Sequence, residues 1–195
     1  MPRIRPIHRA RCGVLPLLTS LLVGQAAAQE PSAETKLAAV HAAMILKIAY
    51  YIAQDPPPAD TPPRQQFRIG LLGEDPTTAT AGKTLPGKKV GTQAAVVVRV
   101  SMEDAKAGRA AEQCDLLYIA TPIDDESLAT IVANYAKKPL ILVCHRPGFA
   151  ASGGTVQLFV HDGGLRFEVN HEAMRKQQLG ASAQFLKHSL KGPRR

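Results

Sequence analysis

The alternation of apolar and polar positions divides the chain into elements. Leu140, Ile141, Leu142 and Val143 form an unbroken apolar run, the pattern of a parallel strand covered on both faces. The chain breaks at Pro147-Gly148-Phe149 and again at Gly153-Gly154. Val156, Leu158 and Val160 then alternate with Gln157, Phe159 and His161, as a strand with two unlike faces requires. His161-Asp162-Gly163-Gly164 supplies residues that tolerate positive φ and predicts a tight turn, after which Leu165, Phe167 and Val169 share one face of a second strand. Asn170 offers an N-cap oxygen to a helix running to about His188, with Glu172 near its positive end and Met174, Leu179, Phe185 and Leu186 packing inward.

Upstream, the stretch from Thr35 to Gln54 reads as a helix apolar almost all the way round, through Leu37, Val40, Met44, Ile45, Ile48, Tyr51 and Ile52, with Leu46 and Tyr50 on other sides. Such a helix is buried on several faces, either in its own core or against a dimer mate or partner. Asp55 to Pro63 is a Pro-rich connector. Strands are predicted at Phe67 to Leu72, Ala95 to Val100, Asp115 to Ala120 and Leu140 to Val143. Between them, Ser101 caps a helix to about Glu112, and Asp124 begins another to about Lys137. Strands alternating with helices predict an α/β class: a three-layer α/β/α, Rossmann-like domain whose largely parallel sheet is extended by a C-terminal antiparallel hairpin, behind a long N-terminal helix.

The first 28 residues stand apart from this domain. Arg3, Arg5, Arg9 and Arg11 form a basic n-region, Gly13 to Val23 an apolar h-region, and Ala26 and Ala28 are small residues before a cleavage point, so residues 1–28 read as a signal peptide, 29–188 as one domain and 189–195 as a basic tail. No later segment is expected to span a membrane. Loss of the four arginines lowers the formal charge from +8 to about +4, too mild to argue for nucleic acid. Export to the periplasm implies an oxidising compartment. Cys114 opens one predicted strand while Cys144 closes another, which separates them by about 15 Å at roughly 3.3 Å per residue. The expectation is two buried thiols, with an intermolecular bridge as the alternative.

Sequence signals for chemistry are weak. Gly82-Lys83-Thr84 has the end of a P-loop, but Thr77 stands where its first glycine belongs and Leu85-Pro86-Gly87 follows where a helix should start. Cys144 and His145 are adjacent, so on a strand they point to opposite faces. His41, His145, His161, His171 and His188 show no metal-ligand spacing on one element. Catalytic, cofactor and metal residues are therefore all assigned as none.

Several segments, in order, resemble the YfiR family of exported bacterial proteins. They are Ala42-Ala43 to Tyr51, Phe67-Arg68-Ile69, Leu72-Gly73-Glu74-Asp75-Pro76, Gly82-Lys83-Thr84, Cys114-Asp115-Leu116-Leu117-Tyr118-Ile119, Pro147-Gly148-Phe149 with Gly153-Gly154, and Arg166-Phe167-Glu168-Val169-Asn170. The resemblance implies a periplasmic regulator without catalysis, one that binds and restrains the periplasmic sensor domain of a membrane diguanylate cyclase until an outer-membrane lipoprotein draws it away. It also implies a homodimer and disulfide-based redox sensitivity. For paired cysteines, mates of Cys114 and Cys144 would fall at Gly70 or Leu71 and at Ser152, and the Trp-containing helix end is here Tyr50-Tyr51-Ile52-Ala53-Gln54.

Two surfaces follow. The hairpin and its Pro-Gly-Phe loop form the leading partner surface, with Phe149, Phe159 and Arg166 as anchors, although Phe149 reads equally well as a core plug. The alternative is a small-molecule crevice at the carboxyl ends of the strands, where the rim carries Glu74, Asp75, Thr121, His145 and Arg146.

Overall fold

The computed structural model describes residues 32–53, 65–180 and 183–190. The expected signal peptide, the Asp55 to Pro63 connector and the end of the basic tail lie outside the described residues. The fold is mixed α/β. Its described elements are α1 (Ala33–Ala53), β1 (Gln66–Leu72), α2 (Pro76–Thr84), β2 (Lys89–Val90), β3 (Gln93–Val100), α3 (Met102–Lys106), α4 (Ala110–Gln113), β4 (Leu116–Ile119), α5 (Asp125–Tyr135), β5 (Ile141–Cys144), β6 (Val156–His161), β7 (Gly164–Val169), α6 (His171–Lys176) and α7 (Ala183–Lys187). The strands form one sheet in the order β2-β3-β1-β4-β5-β6-β7. Strands β3, β1, β4, β5 and β6 run parallel, and β2 and β7 pair antiparallel at the two edges.

Side chains alternate across the central strands, so each face of the sheet carries its own core. Ile69, Leu71, Leu116, Tyr118, Ile141 and Val143 point to one face, where Ile45, Ile48 and Ala49 of α1 and Phe185 of α7 meet them. Leu117, Ile119, Leu142 and Cys144 point to the other, against Ala105 of α3, Ala110 of α4 and Leu128, Ile131 and Tyr135 of α5. Tyr135 shows how the second face keeps its polar atoms satisfied. Its hydroxyl accepts from Ala110 N at 2.9 Å, and its carbonyl accepts from Gln177 Nε2 at 3.0 Å.

Five elements depart from the sequence expectation, the first being the two-residue edge strand β2, which no apolar run marks. The Asp75-Pro76 turn opens a helix, α2, because Asp75 and Thr78 close a reciprocal capping box: Thr78 N donates to Asp75 Oδ1 at 2.6 Å and Asp75 N to Thr78 Oγ1 at 2.9 Å. The helix predicted from Ser101 to Glu112 is two short ones, interrupted at Gly108, where φ is +74°. The last helix is likewise split into α6 and α7, with Gln178 at φ +56° beyond the first. Finally, Ala33–Ile52 is long and apolar enough to cross a membrane by length and composition, with mean hydropathy 1.2, contrary to the expectation that no later segment is. Its buried face holds Ile45, Ile48 and Ala49 in the sheet core.

The hairpin matches its expectation. Asp162 at φ +49° and Gly163 at φ +69° make the two-residue turn, and His161 pairs with Gly164. Asn170 Oδ1 accepts from Ala173 N at 3.0 Å to cap α6.

Candidate functional site

In an open parallel sheet, the loops after neighbouring strands diverge where the strand order reverses, and the crevice opens at the carboxyl ends there. Here the reversal falls between β1 and β4. A cleft of about 240 Å³ lies at that point, lined by Glu34, Leu37, Ala38 and His41 from α1, by Asp75, Pro76 and Thr77 at the start of α2, and by Thr121 and His145 from the loops after β4 and β5. Three of the five predicted crevice residues, Asp75, Thr121 and His145, therefore converge. Glu74 is exposed outside the lining. Arg146 turns away, donating through Nη1 to Ile123 O at 2.7 Å and pairing with Asp125.

The cleft floor is a hydrogen-bonded chain. Tyr118 Oη donates to Asp75 Oδ2 at 3.1 Å, which leaves the phenol oxygen to accept from His145 Nδ1 at 2.8 Å. That assignment puts the proton of neutral His145 on Nδ1 and makes Nε2 the acceptor for Thr121 Oγ1 at 2.5 Å. The His145 ring stacks on His41 at 5.2 Å between centroids, and His41 Nδ1 lies 3.2 Å from Thr77 Oγ1. Burial lowers the pKa of both imidazoles and the Asp75 charge raises each, while the neighbouring His145 lowers His41 further. Burial, then the Asp75 carboxylate, raises the Tyr118 phenol, so its proton stays on. Sequence reasoning missed His41, Thr77 and Tyr118. The available signal was a polar-tipped Tyr inside the otherwise aliphatic run Leu116 to Ile119.

The order hydroxyl, imidazole, phenol, carboxylate has the outline of a relay for acyl transfer. In such a relay a carboxylate touches the imidazole and stabilises its cation. A neutral phenol holds that position here and supplies no charge. The thiols are no better nucleophiles: burial pushes Cys114 up to about 12 and Cys144 up to about 11, and both are free and buried. Cys114 precedes β4 whereas Cys144 pairs with Ile119 at its far end, which keeps them at opposite ends of neighbouring strands. Among the described residues no cluster of three His, Cys, Asp or Glu side chains could hold a metal ion.

The predicted partner anchors are dispersed. Phe149 is 1% exposed, and its ring packs so closely on Gly154 that a Cβ there would stand 2.3 Å from it. Its side chain fills the second core and has no outer surface to present. Phe159 and Arg166 are a directly opposed pair across β6 and β7, half-buried and exposed respectively. Val160, on the other face of β6 opposite Leu165, is 60% exposed.

The fold and site thus define a mixed α/β domain with a polar crevice at the strand ends, a class that ranges from enzymes to binding and regulatory proteins. The YfiR/HmsC-like family model matches residues 38–189, and the chain belongs to that family. The family is regulatory and periplasmic, and it is known in the control of cyclic di-GMP signalling. No curated protein matches the chain.

Proposed function

We propose that this chain is a non-catalytic periplasmic regulator that binds and restrains the periplasmic sensor domain of a membrane diguanylate cyclase. The scaffold is read as a three-layer, Rossmann-like domain that presents its C-terminal hairpin, acting as a homodimer and released by an outer-membrane lipoprotein. Family membership supports the regulatory role. The observation that carries the contact surface is the hairpin, where Phe159 and Arg166 project from the same face of two adjacent strands, an aromatic and an arginine side by side as interface anchors commonly are. Control requires no chemistry: a partner that binds the inactive receptor more tightly than the active one lowers its output by population shift. The test is capture of envelope proteins on the mature chain, with Phe159→Ala and Arg166→Ala as controls, beside cyclic di-GMP levels in a deletion strain. Capture of a cyclase that the variants lose, with raised cyclic di-GMP on deletion, is the expected result. Unchanged cyclic di-GMP would refute the cyclase assignment.

A second reading is favoured by the cleft at the strand-order reversal. It would make the chain a small-molecule-binding protein, with Asp75, Thr121 and His145 fixing the ligand's polar groups. Ligand-dependent stabilisation that His145→Asn abolishes would support this reading over the first.

A further inference from the structure

A second cleft, also of about 240 Å³, lies between α1, β7 and α7. Its lining residues are Met44, Lys47, Leu165, Arg166, Phe167, Lys187, His188 and Leu190. Three permanent cations and an imidazole thus surround an apolar floor, and among the described residues no carboxylate lines it. Among the described residues none of Lys47, Arg166 and Lys187 is ion-paired. The nearest acidic side chain on the same strand, Glu168, is not part of the lining. Like charges that share one cleft repel one another, and a bound anion relieves that repulsion most where the walls are apolar.

The walls are built for a compact body. Phe167 is 2% exposed and stacks on Phe185 at 5.2 Å. The His188 ring stacks on Tyr51 at 5.9 Å, and Lys47 Nζ lies 6.0 Å from the same Tyr51 ring. Leu190 stands at the mouth, 42% exposed, held there by its own amide donating to Phe167 O at 2.9 Å. A small occupant would bury part of Leu190 and Met44 while presenting charge to the cations.

We propose that this cleft binds a small amphipathic anion, a phosphate monoester on a compact apolar body, through Lys47, Arg166 and Lys187. The site is separate from the strand-end crevice and does not depend on the regulator reading. The same headgroup chemistry occurs on free metabolites and on anionic lipid, and the size of the cleft favours the free molecule.

The test is calorimetric titration of the mature chain with phenyl phosphate, inorganic phosphate and phosphatidic acid vesicles. The expected result is one saturable site for phenyl phosphate that weakens as salt rises. Affinity should fall at least tenfold in Arg166→Gln and in Lys187→Gln, both at exposed positions, and stay unchanged in His145→Asn. Inorganic phosphate should bind at least tenfold more weakly, since it gains nothing from the apolar floor. Absence of saturable binding at millimolar phenyl phosphate overturns the proposal. So does equal affinity in the two cation variants, equal affinity for inorganic phosphate, or binding confined to the vesicles.

Discussion

Replacing Gly70 with cysteine should create a disulfide to Cys114. A Cβ built on Gly70 stands 2.5 Å from Cys114 Sγ and 3.2 Å from its Cβ. Disulfides hold Cβ atoms about 3.5–4.5 Å apart, so a shift of a few tenths of an ångström in one strand completes the geometry. The bridge would close a loop of about 45 residues, worth about 4 kcal/mol at 25 °C in the chain-entropy treatment. The reduced variant moves the other way. Its new side chain meets Cys114 and, at 3.0 Å, Leu117 Cδ1 in a packed core, an overpacking cost of about 1–3 kcal/mol. The urea midpoint of Gly70→Cys should therefore lie above that of the parent when oxidised and below it when reduced, and Gly70→Ala should match the reduced form. Timing matters as well. Burial holds the Cys114 thiol at about 12, far from its reactive thiolate, so the bridge should form during oxidative folding and only slowly in the folded, reduced protein. Thiol titration in denaturant, with and without reductant, reads the bridge directly. If the unreduced variant releases every thiol, or if its urea midpoint is the same with and without reductant, the packing argument fails.

Gly154→Ala should lose about 1–3 kcal/mol in urea denaturation, because the new methyl would lie 2.3–2.5 Å from three atoms of the buried Phe149 ring, and Phe149→Leu in the same chain should recover part of the loss. Asp75→Ala removes both the N-cap of α2 and the acceptor for Tyr118, and should cost at least about 1–2 kcal/mol in the same assay, whereas Asp75→Asn, which keeps an oxygen for Thr78 N, should cost less. His41 and His145 have folded pKa values lowered from 6.5, so the unfolded chain takes up protons first as pH falls. Their stabilising contribution is complete above about pH 6.5 and is lost below it, down to the folded values, and melts from neutral to mildly acidic pH should show a shallower fall for His145→Asn than for the parent.

Period and turn chemistry made the sheet legible. Leu140 to Val143 and the Val156 to Val169 hairpin carry their geometry in short-range patterns, and the parallel strands sit where the apolar runs are. Helix α2 was not legible, since Pro76 to Thr84 offers no apolar stripe and forms on a capping box instead. The splits at Gly108 and Gln178 were hidden because helical periodicity continued past them while the backbone left the helix. Of the crevice, the strand-end residues Asp75, Thr121 and His145 could be placed from the strand boundaries alone. His41 and Tyr118 could not, because their contacts depend on α1 crossing the end of the sheet and on which face of β4 meets it. Phe149 was ambiguous for a related reason: a large apolar residue in a Pro-Gly loop fits a surface or a core equally well until the Gly154 contact is known.

The single bond from the Leu190 amide to the Phe167 carbonyl bears on how the protein behaves at high concentration. At one edge of the sheet β2 covers only Gln93 and Ala94 of β3, and at the other β7 is the outer strand over its six residues. An open outer strand with half-exposed apolar neighbours such as Val160 invites edge-to-edge pairing between molecules. By occupying one of its carbonyls, the segment that follows α7 covers part of the β7 edge, and loss of that bond is expected to favour edge-to-edge association between molecules.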